Sequence, residues 1–178
     1  MRAASLRTSR RRSRGVTLIE LLVVMTLAAI VLAIGVPNFS HLLERNRATA
    51  ISNEFLRAVT QARAEAMARG QRAVVAPVGG AWANGWEVFV DADRDAVRDG
   101  NELLLFSFSE TAGITIDPNF ATGWNNVLVF MPTGQSRAAA DGTTIIDGRM
   151  SFTAGSEQRS VCLSALGRAS VVRGNTCP

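Results

Sequence analysis

The chain has 178 residues, of which 47% are hydrophobic, and its formal net charge at pH 7 is +4. This composition excludes an intrinsically disordered chain, and the length allows one domain with a sizeable core and one appendage. Six of the nineteen basic residues lie in the first fifteen positions, whereas the rest has a net charge of −2, which does not favour a nucleic-acid-binding class.

The first predicted element is an apolar helix that follows the arginine-rich stretch. No ionisable side chain occurs in residues 21–40, and a helix over these residues spans about 30 Å, the thickness of a bilayer core. The arginines before it predict a cytoplasmic N-terminus and a C-terminal part outside the inner membrane. A buried core helix and a secretory signal cleaved at residues 33–35 are alternatives. The helical pattern beyond Gly35 favours a retained single-pass anchor.

The start of this helix resembles a known processing signal. The arginine-rich stretch ends at Gly15 and is followed by VTLIELLVV. This pattern resembles the class III signal of type IV pilins and type II secretion pseudopilins, in which Phe or Met is usual where this chain has Val16. The resemblance implies that residues 1–15 are a leader, that a prepilin peptidase cleaves after Gly15, and that the new amino group of Val16 is N-methylated.

Glu20 is the one acidic residue at the start of the apolar run. A charged side chain costs about 2.5–3.5 kcal/mol at the centre of a membrane helix, so this carboxylate requires a partner or an interfacial position. In the resembled family the partner is the terminal amine of a neighbouring subunit, which sets the axial register during assembly. The alternative is a side chain that only snorkels to the membrane surface.

The helical pattern continues beyond the predicted membrane segment, residues 16–36. Pro37 removes a helix hydrogen bond and predicts a kink or a stretch that melts easily. Residues 37–70 are then expected to form an amphipathic helix that ends at Arg69 and Gly70. Its apolar stripe, which is expected to pack against the rest of the chain, consists of Ile51, Phe55, Ala58, Val59, Ala62 and Ala66.

Residues 71–178 are expected to form a β-rich head. Short apolar and β-branched runs, separated by Gly, Asn, Asp and Pro, predict strands at 72–78, 86–91, 103–108, 114–116, 127–131, 145–146, 150–153, 160–166 and 169–173. One long helix followed by strands predicts an α+β fold with an antiparallel sheet. The order of motifs from Gln61 to Arg168 resembles GspH/FimT-like minor pilins and pseudopilins, which implies a pilin-like fold in the periplasm.

The sequence DADRDAVRDGNE contains the one candidate metal site. Asp91, Asp93, Asp95 and Glu102 occupy the first, third, fifth and twelfth positions of a calcium-loop pattern. Ala96 stands where the pattern requires Gly, and two arginines within the loop oppose a cation by charge. We therefore expect a solvated turn with Arg–Asp pairs, no metal and no cofactor, and treat calcium as the alternative.

Two cysteines and two arginines near the C-terminus are further candidates. In an oxidising compartment Cys162 and Cys177 are expected to form a disulfide worth about 3 kcal/mol, whereas in the cytosol they would be free thiols. FimT-like pilins have a Gly-Arg-x-Arg element associated with DNA binding. This chain has Gly167 and Arg168 but lacks the second arginine, although Arg173 lies close in sequence.

The sequence contains no recognisable catalytic motif, so a structural subunit is favoured over an enzyme. The favoured function is a minor pseudopilin or pilin of a type II secretion system or type IV pilus. The resemblance implies other pilins, the prepilin peptidase and an inner-membrane assembly platform as partners. The alternatives are a DNA-binding FimT-like pilin and, least favoured, a membrane-tethered hydrolase that uses the aspartate loop.

Overall fold

The computed structural model describes residues 15–109, 111–120, 124, 126–138 and 143–178, with residues 36 and 37 described by their backbone alone. The predicted leader therefore lies outside the described residues, apart from Gly15. The chain divides into two compact units, Met1–Phe39 and Ser40–Pro178. One helix, α1, covers Leu18–Arg69 and so contributes to both units.

In the first unit, α1 exposes its apolar side chains around the whole helix. Every described side chain from Leu18 to Ile34 is exposed, including Leu18 at 82% and Val31 at 68%. Within the described residues α1 is the one helix that is long and apolar enough to span a membrane. The backbone stays helical through Pro37, so the predicted kink stays a prediction.

Among the described residues of the second unit, α1 is followed by nine strands. Their bounds are β1 Arg72–Pro77, β2 Trp86–Asp91, β3 Leu104–Phe108, β4 Thr115–Phe120, β5 Leu128–Phe130, β6 Ser136–Arg137, β7 Gly148–Ala154, β8 Glu157–Leu163 and β9 Ala169–Arg173. Two short 3₁₀ turns, Val78–Gly80 and Trp82–Asn84, connect β1 to β2.

The strands form two antiparallel sheets. The first sheet has the order β3-β2-β1-β5-β6, and the second has the order β4-β7-β8-β9. The predicted α+β class and its antiparallel pairing are thus confirmed. Two strand predictions need correction: residues 164–166 form a turn, closed by the Gly167 N–H on the Ser164 carbonyl oxygen, and residue 145 makes only an isolated bridge to Arg137.

The main core lies between α1 and one face of each sheet. All six residues of the predicted apolar stripe are buried, and they pack with β1, β2 and β5 of the first sheet and with β7 and β8 of the second. Phe55 is the centre of this contact: its ring centroid lies 5.2 Å from that of Trp86 and 5.4 Å from that of Phe152. Edge-to-face and tilted aromatic pairs at these distances add to the hydrophobic gain.

The face of each sheet that points away from α1 is covered by a further segment of the chain. On the first sheet, Ala96 is buried with Val74, Ala76, Phe89 and Val129, so the acidic loop between β2 and β3 packs against this face. On the second sheet, the C-terminal segment returns over β8, where Ser160 Oγ donates to the carbonyl oxygen of Gly174 over 2.6 Å. Both covering segments contain residues singled out as candidate sites.

Candidate functional site

The start of α1 is a capped helix N-terminus that carries Glu20. The Thr17 hydroxyl accepts a hydrogen bond from the Glu20 N–H at 3.3 Å, and the Thr17 carbonyl oxygen accepts one from the Leu21 N–H at 3.1 Å. Thr17 is therefore the N-cap and Glu20 the third helical residue, the spacing of a capping box. A carboxylate in the first turn also interacts favourably with the helix dipole.

Gly15 and Val16 precede this cap and are not helical. A non-helical backbone presents its peptide bond more readily than a helical one, so the position suits the cleavage predicted between these two residues. The helix begins at Leu18, two residues after Val16, because the Thr17 side chain accepts one of the free amides of the first turn, that of Glu20.

The acidic loop after β2 brings three of its four candidate ligands together. One carboxylate oxygen from each of Asp91, Asp93 and Asp95 lies within 4.8 Å of the others. Each also accepts a main-chain N–H: Asp91 from Arg94 at 2.8 Å, Asp93 from Asp95 at 3.2 Å, and Asp95 from Val97 at 2.7 Å. These bonds fold the loop on itself, with Ala96 at a positive φ of 62° where a calcium loop has Gly.

Asp91 is committed to an internal ion pair. Its Oδ2 atom lies 3.1 Å from Nε of Arg72, and both side chains are buried. The Arg72 guanidinium also donates through Nη1 to the carbonyl oxygen of Arg94 at 3.1 Å. A buried pair of this kind is costly to break from one side, so it fixes the loop on the first sheet. This pair differs from the solvated Arg–Asp pairs expected from the sequence, because it is buried and uses Arg72 of β1 rather than an arginine of the loop.

Glu102 closes the same loop from its C-terminal end. Its Oε1 atom accepts the Ala92 N–H at 2.8 Å, while its Oε2 atom is shielded from solvent without a hydrogen-bond partner. Burial raises the pKa of this carboxyl, although the hydrogen bond from Ala92 acts in the opposite direction. A second pair, Arg98 Nε with Glu87 Oε2 at 2.8 Å, holds the middle of the loop against β2.

The candidate DNA contacts lie at opposite ends of one strand. Arg168 belongs to the turn before β9, and Arg173 is the last residue of β9. The two residues are five positions apart along an extended chain, about 16 Å, so they do not form one contact point. Arg168 instead lines an open cleft of about 540 Å³ together with Arg149, Asp147 and the two disulfide cysteines.

The disulfide is present as expected. Cys162, in β8, is bonded to Cys177, and their Cα atoms are 5.7 Å apart. The segment between them contains β9 and the return over the second sheet, so the bond closes the cover on that face. This covering buries Ser151 and Ser160, whose hydroxyl oxygens lie 2.9 Å apart.

Comparison with known families decides the relationship of the chain. Residues 52–167, more than half of the chain, match the family model described as type II transport protein GspH. The chain belongs to the GspH family. Residues 10–36 match the prokaryotic N-terminal methylation motif, so the matched motif spans the predicted cleavage site, the cap and the apolar helix. No curated protein matches the sequence significantly.

Two solved structures share the fold of this GspH-family chain. The minor pseudopilin EpsH from the type II secretion system of Vibrio cholerae is 14% identical, with a TM-score of 0.51 over 71% of this chain and 97% of that chain. The type IV minor pilin FimU of Pseudomonas aeruginosa is 17% identical, with a TM-score of 0.52 over 74% and 92%. The GspH-family chain therefore has the α+β pilin fold.

Two glycines, in the turns after β5 and β8, have a specific structural role. Gly134 and Gly167 both have positive φ, and a Cβ on Gly167 would lie 2.1 Å from the carbonyl oxygen of Gly134. The same carbonyl accepts a hydrogen bond from Nε of Arg63 at 2.9 Å. The turns after β5 and β8 thus meet at the end of α1, a contact that larger residues would prevent.

Two side-chain contacts that organise the GspH-family head were missed in the sequence. Glu44 Oε2 accepts the Ser156 main-chain N–H at 3.1 Å and the Ser156 hydroxyl at 3.2 Å, which ties α1 to the turn between β7 and β8. These bonds lower the pKa of Glu44, the main-chain hydrogen bond most. Neither this contact nor Arg72–Asp91 leaves a local sequence pattern, because the partners are distant in the chain.

Proposed function

We propose that this chain is a minor pseudopilin of the type II secretion class. In this proposal, residues 16–36 hold it in the inner membrane, the head lies in the periplasm, and the subunit enters a periplasmic filament or its tip. It acts by assembly and not by catalysis. The GspH family match supports the secretion class over a type IV pilus, which shares the same fold.

The observation that carries the proposal is the exposed apolar surface of α1 before the head. Side chains such as Leu18, Val31 and Ile34 are 63–82% exposed in the isolated chain. A surface of this kind requires lipid or other apolar helices, because its exposure to water is unfavourable by about 25 cal/mol per Å². Exchange of lipid for the helices of other subunits would therefore change the environment of this segment without changing its hydrophobic burial.

Processing is the first step of the proposed pathway. A prepilin peptidase would cut between Gly15 and Val16, and N-methylation of Val16 would follow. Mass spectrometry of the chain purified from membranes tests this step, with the expected species beginning at N-methylated Val16. An intact chain that retains Arg2, or a soluble form beginning at Val36, would contradict the proposal.

Glu20 is proposed to pair with the terminal amine of a neighbouring subunit at the assembly platform. Its position in the first turn of α1, next to the new amino terminus, suits such a pair. Glu20→Ala is expected to leave the protein in the membrane and to reduce its recovery with sheared filaments. Thr17→Ala is the matched control, since it removes the cap but keeps the carboxylate. Normal incorporation of Glu20→Ala would argue strongly against this role.

DNA binding is the second candidate, and one observation favours it. Arg149 and Arg168 line the same cleft, and neither forms an ion pair within the described part of the chain. A DNA-binding chain would shift a labelled duplex with an affinity that falls steeply with salt. Arg168→Ala is expected to weaken that shift if the cleft is the contact, whereas no shift at low salt excludes the candidate.

A further inference from the structure

The arginines of the second unit differ in whether an acidic side chain accompanies them. Arg57, Arg69, Arg72 and Arg98 each lie 2.6–3.5 Å from a carboxylate oxygen. Several others have no acidic partner among the residues that the structure describes. Of these, Arg159 and Arg173 are the two that face each other directly on neighbouring strands.

This pair of arginines lacks a counter-charge where one would be expected. Directly opposite residues on antiparallel strands have Cβ atoms about 5 Å apart, and like charges in that arrangement are destabilising. The Nε atom of Arg159 is also shielded from solvent without a hydrogen-bond acceptor. Because β9 is an edge strand and Arg173 is exposed, an external anion has access to the pair.

Carboxylates without a cationic partner are found in the acidic loop. Asp93, Asp95 and Asp99 are exposed, and each uses one oxygen for a main-chain amide. None of them forms an ion pair in the described ranges, whereas Asp91 and Glu87 do. The loop is held in shape by the buried Ala96 and by the Arg72–Asp91 pair. The carboxylates therefore need little ordering before they meet a partner.

The acidic loop and the arginine pair are parts of different sheets. The loop covers the outer face of the first sheet, whereas Arg159 and Arg173 lie on β8 and β9 of the second. We propose that the acidic loop of one head docks on Arg159 and Arg173 of a second copy of this chain. The contact joins two different surfaces, so it leaves one loop and one arginine pair free, and it can repeat along a row of heads.

A second copy fits the arginine pair better than a nucleic acid does. The chain after residue 15 has a net charge of −2, and its exposed loop carboxylates would repel a polyanion. The loop supplies three carboxylates at a fixed spacing, and complementary charges favour correct orientation and rapid association. The contact rests on the proposed assembly function for its biological setting, but it is independent of Glu20 and of the apolar helix.

The test uses the full chain in detergent micelles, which cover the apolar half of α1 and so suppress association through the helices. Sedimentation velocity is expected to show self-association at low ionic strength that weakens steeply with added salt. Two double variants reverse the charge of one partner each: Arg159→Glu with Arg173→Glu, and Asp93→Arg with Asp95→Arg. Each is expected to raise the dissociation constant of self-association at least tenfold. An equimolar mixture of the two variants should associate again. The unchanged acidic loop of the first variant can dock on the unchanged arginine pair of the second, and the loop arginines of the second can dock on the glutamates of the first.

Controls separate a failure of folding from a failure of docking. Arg149→Glu reverses one arginine on the other face of the second sheet, half the charge change of the double variant, and its self-association should equal that of the wild type. If the reversed arginine variant does not fold, as judged by tryptophan fluorescence, Arg159→Gln with Arg173→Gln replaces it and should also weaken association.

Two outcomes would overturn the docking proposal. One is a chain that stays monomeric at low salt, or a variant mixture that does not associate. The other is binding of a DNA duplex that needs Arg159 and Arg173 while self-association does not. Neither outcome bears on whether Glu20→Ala reduces filament incorporation. The docking proposal can therefore fail while the proposed function stands, and the reverse.

Discussion

The two halves of α1 differ in how much of their sequence is apolar, and they have opposite surroundings. Up to Ile34 every described side chain is exposed, whereas from Ala48 onward one stripe of the helix is buried against both sheets. The first half has apolar residues on all sides and the second on one side only. This difference indicates that the first half requires a partner outside the chain, whereas the second has its partner within the head.

The largest expected effect comes from removing the aromatic centre of the buried half. Phe55→Ala deletes a side chain that contacts Trp82, Trp86 and Phe152, so we expect a loss of about 3–5 kcal/mol in the free energy of unfolding. Urea denaturation in detergent, followed by tryptophan fluorescence, measures it, because all three tryptophans belong to the head. Leu27→Ala in the exposed half is the control and should leave the urea midpoint unchanged. An equal loss of stability in the two variants would show that the two halves of α1 do not differ in their contribution to the folded head.

Removal of the disulfide is expected to have the next largest effect. Cys162→Ser with Cys177→Ser frees the C-terminal cover of the second sheet and should cost about 3 kcal/mol. Reduction of the wild-type chain should give the same loss in the urea midpoint, with no effect on membrane association. A reduced chain as stable as the oxidised one would show that hydrogen bonds such as Ser160 to Gly174 hold the cover unaided.

The contact of the turns with the end of α1 can be broken at Gly167. Gly167→Ala places a Cβ 2.1 Å from the carbonyl oxygen of Gly134, so both backbone strain and overpacking oppose it, together about 2–4 kcal/mol. Gly174→Ala is the matched control, since that residue has a similar positive φ but no atom within 4 Å of the added Cβ. The difference between the melting temperatures of the two variants measures the effect of the close approach to Gly134. Equal melting temperatures would show that the close approach has no effect.

The smallest expected effect is a pH dependence from Glu44. Its pKa is lowered in the folded head, so its stabilising contribution is present above the ordinary pKa of glutamate and is lost as the pH falls through the folded value. Glu44→Gln should therefore lower the melting temperature slightly at neutral pH and have no effect at strongly acidic pH. A difference that persists in acid would indicate that the charge is not responsible.

Periodic and local patterns were sufficient to predict most of the fold. The stripe from Ile51 to Ala66 predicted which face of α1 is buried, because a helix repeats every 3.6 residues. Turn residues located the strands, but β6 was missed because two residues carry too little pattern. The strand predicted to reach Leu166 ends at Leu163, since Gly167 needs a positive φ and closes a turn there.

The candidate sites were predictable only where the signal was local. The match at residues 10–36 and the disulfide follow from short motifs and cysteine count. The spacing of the aspartates identified the acidic loop, but not the buried Arg72 that neutralises Asp91. Likewise, the facing arrangement of Arg159 and Arg173 depends on strand register, which a single sequence does not provide.

The covalent link between Cys162 and Cys177 also constrains the order of events during biogenesis. In the proposed topology, oxidation must wait until fifteen further residues have crossed the inner membrane after Cys162. The oxidised head is then a marker of completed export, and a pulse-labelled thiol assay would time translocation separately from leader removal on the cytoplasmic side.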